Sequence, residues 1–175
     1  MKLPCLFLLV LLLAGCQQSG ETSSCSLKNV QVRSDDTLLN VSYSAQSKLF
    51  SVKFKNENAP NTADNFPDPL VSIVNLKTEA VCEITDANGI WSGKAVYMDT
   101  ANNALLLNEY SGASDTLIIY DMRTCKRLDE IDVSGGRWEV SADYIHVGQE
   151  CAGDAVRSCK RNRKIQLNSQ CKVQR

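Results

Sequence analysis

The sequence predicts an all-β protein in which antiparallel four-stranded units form a small or incomplete β-propeller. Three observations support this fold class. Apolar residues recur in short runs rich in β-branched and aromatic side chains, with almost no helical periodicity. Asn, Asp, Gly and Ser separate these runs, as expected of tight turns. The pattern of runs also repeats along the chain, which indicates a fold of similar units.

Twelve segments have the strand pattern. In chain order they are residues 28–33, 38–44, 48–55, 70–76, 80–85, 94–99, 104–109, 116–121, 128–133, 138–140, 144–148 and 164–168. Turn signals rich in Gly and Asn lie between most of them, for example at residues 87–89 and 134–136. We therefore expect sequential strands to pair as hairpins.

The repeat is visible as three pairs of similar segments. The pairs are residues 41–50 with 96–105, 71–78 with 117–124, and 91–99 with 140–148. The offset is 55 in the first pair and 46 in the second, which indicates a longer loop in the first copy at about residues 57–69. The third pair marks the start of a third copy.

Units of this kind are typical of propeller blades, which recur at about 40–50 residues. One blade cannot bury its apolar faces alone, so neighbouring blades must stack. Three blades are few for a closed ring, and the first strand, residues 28–33, is expected to close it by joining the last unit. The alternative fold is a β-sandwich in which the repeat is only a similarity between hairpins.

Residues 1–15 have the layout of a cleaved secretory signal. Lys2 supplies a positive charge, and the apolar run that follows is too short to span a membrane. The run ends in Leu-Leu-Ala-Gly-Cys at residues 12–16, which resembles the lipobox of bacterial lipoproteins. This resemblance implies that Cys16 is lipidated after cleavage. The alternative is an ordinary signal peptide that contains a cysteine.

A lipoprotein signal places the mature chain in the periplasm. Gln17 follows the lipidated cysteine, and in that family a residue other than Asp at this position implies the outer membrane. Residues 16–24 are then the lipidated cysteine and a polar, flexible tether. Residues 25–175 are long enough for a single all-β domain with a core of its own.

The cysteine count predicts disulfides. Without Cys5 and Cys16 the eight cysteines leave six, and an even set in the oxidising periplasm is most simply three bridges. Fifteen pairings are possible. The preferred pair is Cys151 with Cys159, which would close one hairpin. The other pairs would be Cys25 with Cys171, which joins the chain ends, and Cys82 with Cys125, which remains.

These residues disfavour catalysis. A Cys/His nucleophile needs a free thiolate, and the one histidine, His146, lies in an alternating strand pattern. One histidine is also too few for a typical zinc site, so no metal and no cofactor are expected. Asp129, Glu130 and Asp132 lie on one strand, but alternation places Asp129 on the opposite face from the other two. A net charge of −1 gives no reason to expect nucleic acid.

Residues 108–115 stand out as a candidate binding loop. They connect two strongly apolar strands and are predicted to form a loop longer than a tight hairpin needs. The segment is small and polar and carries one aromatic residue, Tyr110. Such a loop can enter a partner's cleft and offer hydroxyl groups, although a plain surface loop is the alternative.

The lipobox-like start, the six-cysteine all-β body and the repeated strand units together resemble a family of periplasmic immunity proteins. Members of that family neutralise peptidoglycan amidase effectors of type VI secretion. The resemblance implies a non-enzymatic inhibitor whose loop enters a Cys/His active-site cleft, with serine hydroxyls at the catalytic residues. The residues that would contact the partner are Glu109, Tyr110, Ser111, Gly112, Ser114 and Asp115. Ser111 and Ser114 would make the central contacts and Tyr110 would be the hot-spot anchor.

Two other functions remain open. An outer-membrane scaffold for envelope assembly would bind client strands at exposed sheet edges. A cell-wall binding or hydrolytic lipoprotein would need a concave pocket with convergent acids or free thiols.

Overall fold

The computed structural model describes residues 24–35, 42–55, 64–86 and 89–175. The predicted signal at residues 1–15, the lipidated Cys16 and the tether up to residue 23 lie outside the described residues. Among those that are described, no helix is long and apolar enough to cross a membrane.

The described secondary structure consists of strands and one short 3-10 turn, so the all-β prediction is confirmed. The strands are β1 (Lys28–Asn29), β2 (Val32–Ser34), β3 (Ser42–Gln46), β4 (Phe50–Lys55), β5 (Asn65–Pro67), β6 (Leu70–Asn75), β7 (Val81–Ile84), β8 (Ile90–Asp99), β9 (Ala104–Ser111), β10 (Ser114–Asp121), β11 (Arg127–Asp132), β12 (Gly136–Val140), β13 (Tyr144–Cys151) and β14 (Cys159–Gln166). The 3-10 turn is Val156–Ser158.

The strands form three antiparallel sheets. The first sheet has the order β2-β3-β4-β6-β7, the middle sheet has β1-β8-β9-β10-β11 with β5 on β8, and the last sheet has β12-β13-β14. The sheets thus contain five, six and three strands instead of four each. The propeller stays a prediction, because strand pairing defines the sheets and not their arrangement around an axis.

The first predicted strand, residues 28–33, is divided between two sheets. β1 pairs with β8 of the middle sheet and β2 pairs with β3 of the first sheet. The prediction that this segment joins the last unit is therefore wrong. The physical reason is visible at Asn29, whose side-chain amide donates to the carbonyls of Lys94 and Val96 and holds β1 against β8.

A short strand, β5, lies in the segment predicted as a long loop. Its central residue, Phe66, is buried and stacks on Phe54 at 4.8 Å between ring centroids. The Tyr43 ring packs against the same side chain at 5.2 Å. Burial of one aromatic ring, with three residues paired to β8, fixes this part of the segment.

Residue alternation decides which faces each strand buries. In β4, Val52 and Phe54 are buried while Lys53 and Lys55 are exposed, so one face of this strand is in contact with water. In β9 and β10 the apolar residues are buried on both faces. Two apolar clusters result, with alternate residues of β9 and β10 contributing to each. The β9–β10 hairpin thus lies in the middle of the core.

The three predicted disulfides are confirmed. Cys25 is bonded to Cys171, Cys82 to Cys125, and Cys151 to Cys159. The first bond joins the two ends of the described chain. The second connects β7 to the turn after β10, and the third closes the connection between β13 and β14.

Strand direction defines two ends of the molecule. The end named here the Cys25 end carries the Cys25–Cys171 disulfide and the turns at residues 47–49, 76–80, 100–103 and 122–126. Hydrogen bonds and a disulfide connect these turns: Met122 N–H donates to the Asn103 carbonyl at 2.7 Å, and Cys82–Cys125 joins the first sheet to the middle sheet. β9 runs from this end to the opposite one, named here the hairpin end, where it turns into β10.

Candidate partner-binding site

The β9–β10 hairpin is a rigid support for its turn. Each strand has eight residues, and the pairing is continuous from Ala104 with Asp121 to Ser111 with Ser114. β8 and β11 flank the hairpin on its two edges. Because the inner half of both strands is packed on both faces, little conformational freedom is available to the base of the hairpin.

The turn is shorter than the sequence predicts. Only Gly112 and Ala113 lie between the paired Ser111 and Ser114, so the predicted long loop at residues 108–115 is instead two strand ends and a tight turn. Gly112 has φ of +57°, and a glycine with positive φ at the first turn position is typical of a two-residue hairpin. The polar residues of this segment can lie in strands because the β9–β10 ladder extends beyond the core, where their side chains reach solvent.

Residues 111–114, named here the hairpin tip, are all exposed. Ser111 and Ser114 are opposite each other in the ladder, and opposed residues point to the same side of a sheet with Cβ atoms roughly 5 Å apart. Their two hydroxyl groups can therefore reach one small polar group on a partner. Each hydroxyl both donates and accepts hydrogen bonds, so the pair can bond either a donor or an acceptor.

Tyr110 and Asp115 form the next pair of the ladder, on the opposite side from the two serines. The Tyr110 hydroxyl donates to the Asn65 side-chain oxygen at 2.8 Å, which orients the ring toward β5. Glu109 lies one pair further in and shares its side of the sheet with the serines. The predicted contact residues are thus divided between two faces of the hairpin.

Asp115 anchors the tip to the neighbouring turn. Its backbone N–H donates to the Ser134 hydroxyl at 2.9 Å, and its carbonyl accepts from Val133 N–H at 2.9 Å. Its carboxylate accepts a hydrogen bond from the buried amide of Asn108. Hydrogen bonds from Ser134 in turn lower the pKa of Asp132 below its usual value, so this carboxylate is charged at neutral pH.

Sequence reasoning missed the residues that support the tip. Asn65 and Ser134 bind the hairpin from two other segments, and Asn108, within β9 itself, bonds across to Asp115. A distant polar partner has no periodic signal, and only the fold brings it close. The sequence assigns Asp115 to the binding surface. In the structure its carboxylate and its backbone also make hydrogen bonds within the protein.

The other titratable candidates are engaged in structural contacts. Asp129 accepts from Val173 N–H and from the Arg175 guanidinium, both at 2.9 Å, and so holds the C-terminal segment. The His146 ring packs on Tyr144 at 4.8 Å.

One cluster has the composition of a metal site. Cys25, Asp99 and Cys171 bring ligand atoms within 4.8 Å of one another. The two sulfur atoms are bonded to each other, so they cannot act as thiolate ligands. The Asp99 carboxylate instead accepts from Ser26 N–H at 2.6 Å.

These features define a class of protein. A disulfide-bonded β scaffold that presents a short, internally braced hairpin, and whose six described cysteines are all bonded, has the properties of a protein that binds another protein through a preformed surface. Comparison with known proteins gives the particular family. The family model described as immune protein Tsi1 matches residues 25–171. The chain therefore belongs to the Tsi1 immune protein family.

A curated relative agrees with this assignment. The chain is 32% identical to immune protein Tsi1 of Pseudomonas aeruginosa over 157 residues, which cover 89% of this chain and 90% of the relative. The resemblance to immunity proteins found in the sequence is thereby confirmed. Membership also implies a protein partner, the toxin against which immunity is directed.

Proposed function

We propose that this chain is a periplasmic lipoprotein that neutralises a type VI peptidoglycan amidase by placing its hairpin tip in the active-site cleft. One observation carries the proposal: two opposed, exposed serines lie at the end of a hairpin that is fixed in the core of an immune-family protein. The protein is an inhibitor and not an enzyme in this proposal.

The shape of the tip supports insertion into a narrow cleft. A two-residue turn between paired strands is the narrowest end that a hairpin offers. Its side chains up to Ser111 and Ser114 are small, so little bulk opposes entry. At the cleft floor the serine hydroxyls would hydrogen-bond the catalytic Cys/His pair and exclude substrate.

Preorganisation supports tight binding. The hydrogen bonds of Asn65, Asn108 and Ser134 hold Tyr110 and Asp115, the pair next to the tip, in one conformation before the toxin arrives. The entropy lost when a flexible loop becomes ordered is therefore small. An immunity protein must remain bound while the toxin persists, and a low ordering cost favours a slow dissociation.

A binding and inhibition experiment tests this function. The mature chain, with disulfides formed, is mixed with a Cys/His peptidoglycan amidase secreted by the same bacterium, and its affinity and inhibition are measured. Replacing both tip serines, Ser111→Arg with Ser114→Arg, should weaken binding by roughly 30-fold or more, as expected of hot-spot residues. Thr78→Arg, an exposed hydroxyl residue in a turn at the Cys25 end, is the matched control and should bind normally.

Two results would contradict the proposal. Inhibition by the serine variant equal to that of the wild type would place the inhibitory contact elsewhere. Recovery of outer-membrane assembly factors and no hydrolase from the cell envelope by the wild type would favour the scaffold function.

A further inference from the structure

The exposed large apolar side chains of the described residues are concentrated at one end. Among the described residues these side chains are Leu49 (40% exposed), Leu76 (39%), Val81 (60%) and Leu70 (70%). The first three belong to the Cys25 end, at the β3–β4 turn and at the turn and strand start between β6 and β7. Leu76 N–H donates to the Leu49 carbonyl at 2.8 Å, so these two turns are in direct contact. Leu49, Leu76 and Val81 are named here the apolar cap.

Three exposed lysines and one exposed acid, Glu79, border the apolar cap. Lys48 precedes Leu49 and Lys77 follows Leu76, and both lysines are exposed. The neighbouring β10–β11 turn adds the exposed Lys126, and the Cys82–Cys125 disulfide holds that turn beside the start of β7. Small apolar groups flanked by lysines suit the interface of a bilayer, where apolar side chains enter between headgroups and lysines meet anionic phosphates.

The chain enters the fold at the same end. Ser24 accepts a hydrogen bond from the Asn102 side chain in the β8–β9 turn, and Ser26 N–H donates to the Asp99 carboxylate. Ser24 lies eight positions after the predicted lipidation site, Cys16. Eight residues span at most about 29 Å when fully extended. A lipid at Cys16 therefore keeps the Cys25 end within this distance of the membrane.

We propose that the apolar cap, with Lys48 and Lys77, contacts the periplasmic leaflet of the membrane that holds the lipid anchor. This inference rests on lipidation at Cys16, which is part of the proposed function. The contact fixes the orientation of the protein, because β9 carries the hairpin tip to the opposite end. The tip is then presented away from the membrane, where a toxin arriving in the periplasm meets it first.

With the lipid anchor in place, even a weak contact between the apolar cap and the bilayer is enough to orient the protein. Three partly exposed side chains and two lysines would bind vesicles poorly as a free protein, since one small apolar patch seldom holds a protein on a bilayer. Attachment through Cys16 raises the local concentration of lipid at the cap, so that a weak contact is occupied for much of the time.

Fluorescence quenching tests the contact. The full chain, processed and lipidated, is reconstituted in vesicles of phosphatidylethanolamine and phosphatidylglycerol with brominated acyl chains. Leu49→Trp should lose roughly half of the emission it adds, since a residue at the boundary between headgroups and acyl chains lies near the bromine atoms. The matched control is Leu70→Trp, a more exposed leucine at the start of β6 and the opposite end of the first sheet. Its added emission should remain.

Charge reversal gives a second measurement. Lys48→Glu in the Leu49→Trp background should restore part of the emission, whereas Lys53→Glu, on the exposed face of β4, should not. Leu76→Trp repeats the test at a separate turn, in case the first substitution disturbs the fold. Both tryptophan variants should still inhibit the amidase, since the hairpin tip is at the other end.

Several outcomes would overturn this inference. Equal quenching at Leu49→Trp and Leu70→Trp, or none at either, shows that the cap does not face the bilayer. A purified chain whose mass contains no lipid removes the anchor on which the contact depends. If the wild type does not inhibit the amidase while Leu49→Trp is still quenched, the proposed role of the hairpin tip is wrong and the membrane contact remains supported. The two failures are therefore distinguishable.

Discussion

At the scale of single residues, one buried carboxylate connects two distant segments of the chain. Asp99 is only 3% exposed and accepts hydrogen bonds from the backbone N–H groups of Ser26, Ala101 and Asn102. It thereby joins the N-terminal segment to the β8–β9 turn. The sequence shows an Asp at the end of a strand before a turn, which is ordinary turn chemistry, and gives no sign of the bond to a residue 73 positions away.

Removal of this carboxylate should be costly. We expect Asp99→Ala to lower the free energy of unfolding by roughly 2 kcal/mol or more, because three backbone donors lose their acceptor in a buried place. Asp99→Asn should lose less, since its carbonyl can still accept. Guanidinium unfolding with the disulfides intact measures both. A negligible loss for the alanine variant would show that the carboxylate is not the organising group.

The buried polar group of Tyr120, unlike that of Asp99, is expected to contribute little to stability at neutral pH. Its hydroxyl is buried and makes no hydrogen bond of good geometry, although the Arg127 guanidinium lies close to it, and burial raises the pKa of this phenol above its usual value of 10. A group whose pKa is raised on folding stabilises the fold below its unfolded pKa, and this contribution is lost as pH rises above 10. Tyr120→Phe should leave stability at pH 7 almost unchanged and reduce the alkaline loss. A steep alkaline loss in the variant would assign that loss to other groups.

At the scale of elements, apolar strands were predictable and polar strand ends were not. The central runs of β9 and β10 are apolar, and the sequence predicts both strands. Residues 110, 111, 114 and 115 are polar or lie beside polar residues, so the same reasoning assigned them to a loop. They pair because the ladder already aligned by the core continues outward, a tertiary effect that local composition does not contain.

β5 was missed for a related reason. Three residues ending in Pro67 do not form a strand signal, since proline is disfavoured in sheets except at edges. Phe66 alone carried information, as a large apolar residue in a polar segment. Its burial against Phe54 and Tyr43 is visible only when the first and middle sheets are placed together.

Disulfides at the element scale should differ in their effect. Replacing both cysteines of a pair by alanine should cost about 2–4 kcal/mol, with the larger loss for the longer closed loop. Cys25–Cys171 spans 146 residues and Cys151–Cys159 spans 8, so the first removal should lower the free energy of unfolding more. Guanidinium unfolding of the two double variants shows which disulfide contributes more to the free energy of unfolding. The reverse order would mean that local packing around Cys159 outweighs chain entropy.

At the scale of the whole molecule, the sequence predicted the all-β class and the antiparallel pairing but not the boundaries of the sheets. Antiparallel hairpins recur along the chain and form three sheets, but β1 and β5 depart from chain order and join the middle sheet. Strand number per sheet and the placement of residues 28–33 depended on contacts across the molecule, such as Asn29 with β8. The candidate segment at residues 108–115 stays a prediction, and the hydrogen bonds that Asn65 and Ser134 make to it were not predicted.

Acid should weaken the whole fold in a defined range. Although partial burial acts to raise it, the pKa of Asp121 is lowered by hydrogen bonds and charge from Arg123, and that of Asp132 by hydrogen bonds from Ser134. Carboxylates with a lowered pKa stabilise the fold above their unfolded value of 3.8, and this contribution is lost as pH falls through the folded value. We expect little change in the contribution of these groups between pH 7 and 5 and a decrease below 3.8. Asp121→Asn should flatten the decrease when unfolding is measured against pH.

The Cys25–Cys171 bond has a further consequence for survival in an environment that contains proteases. It turns the chain between these cysteines into a closed covalent loop. A single cleavage at any peptide bond within that loop opens it but releases nothing, because the two pieces remain joined through sulfur. The hairpin tip would thus stay connected to the N-terminal segment, and to any lipid attached there, after a first proteolytic event.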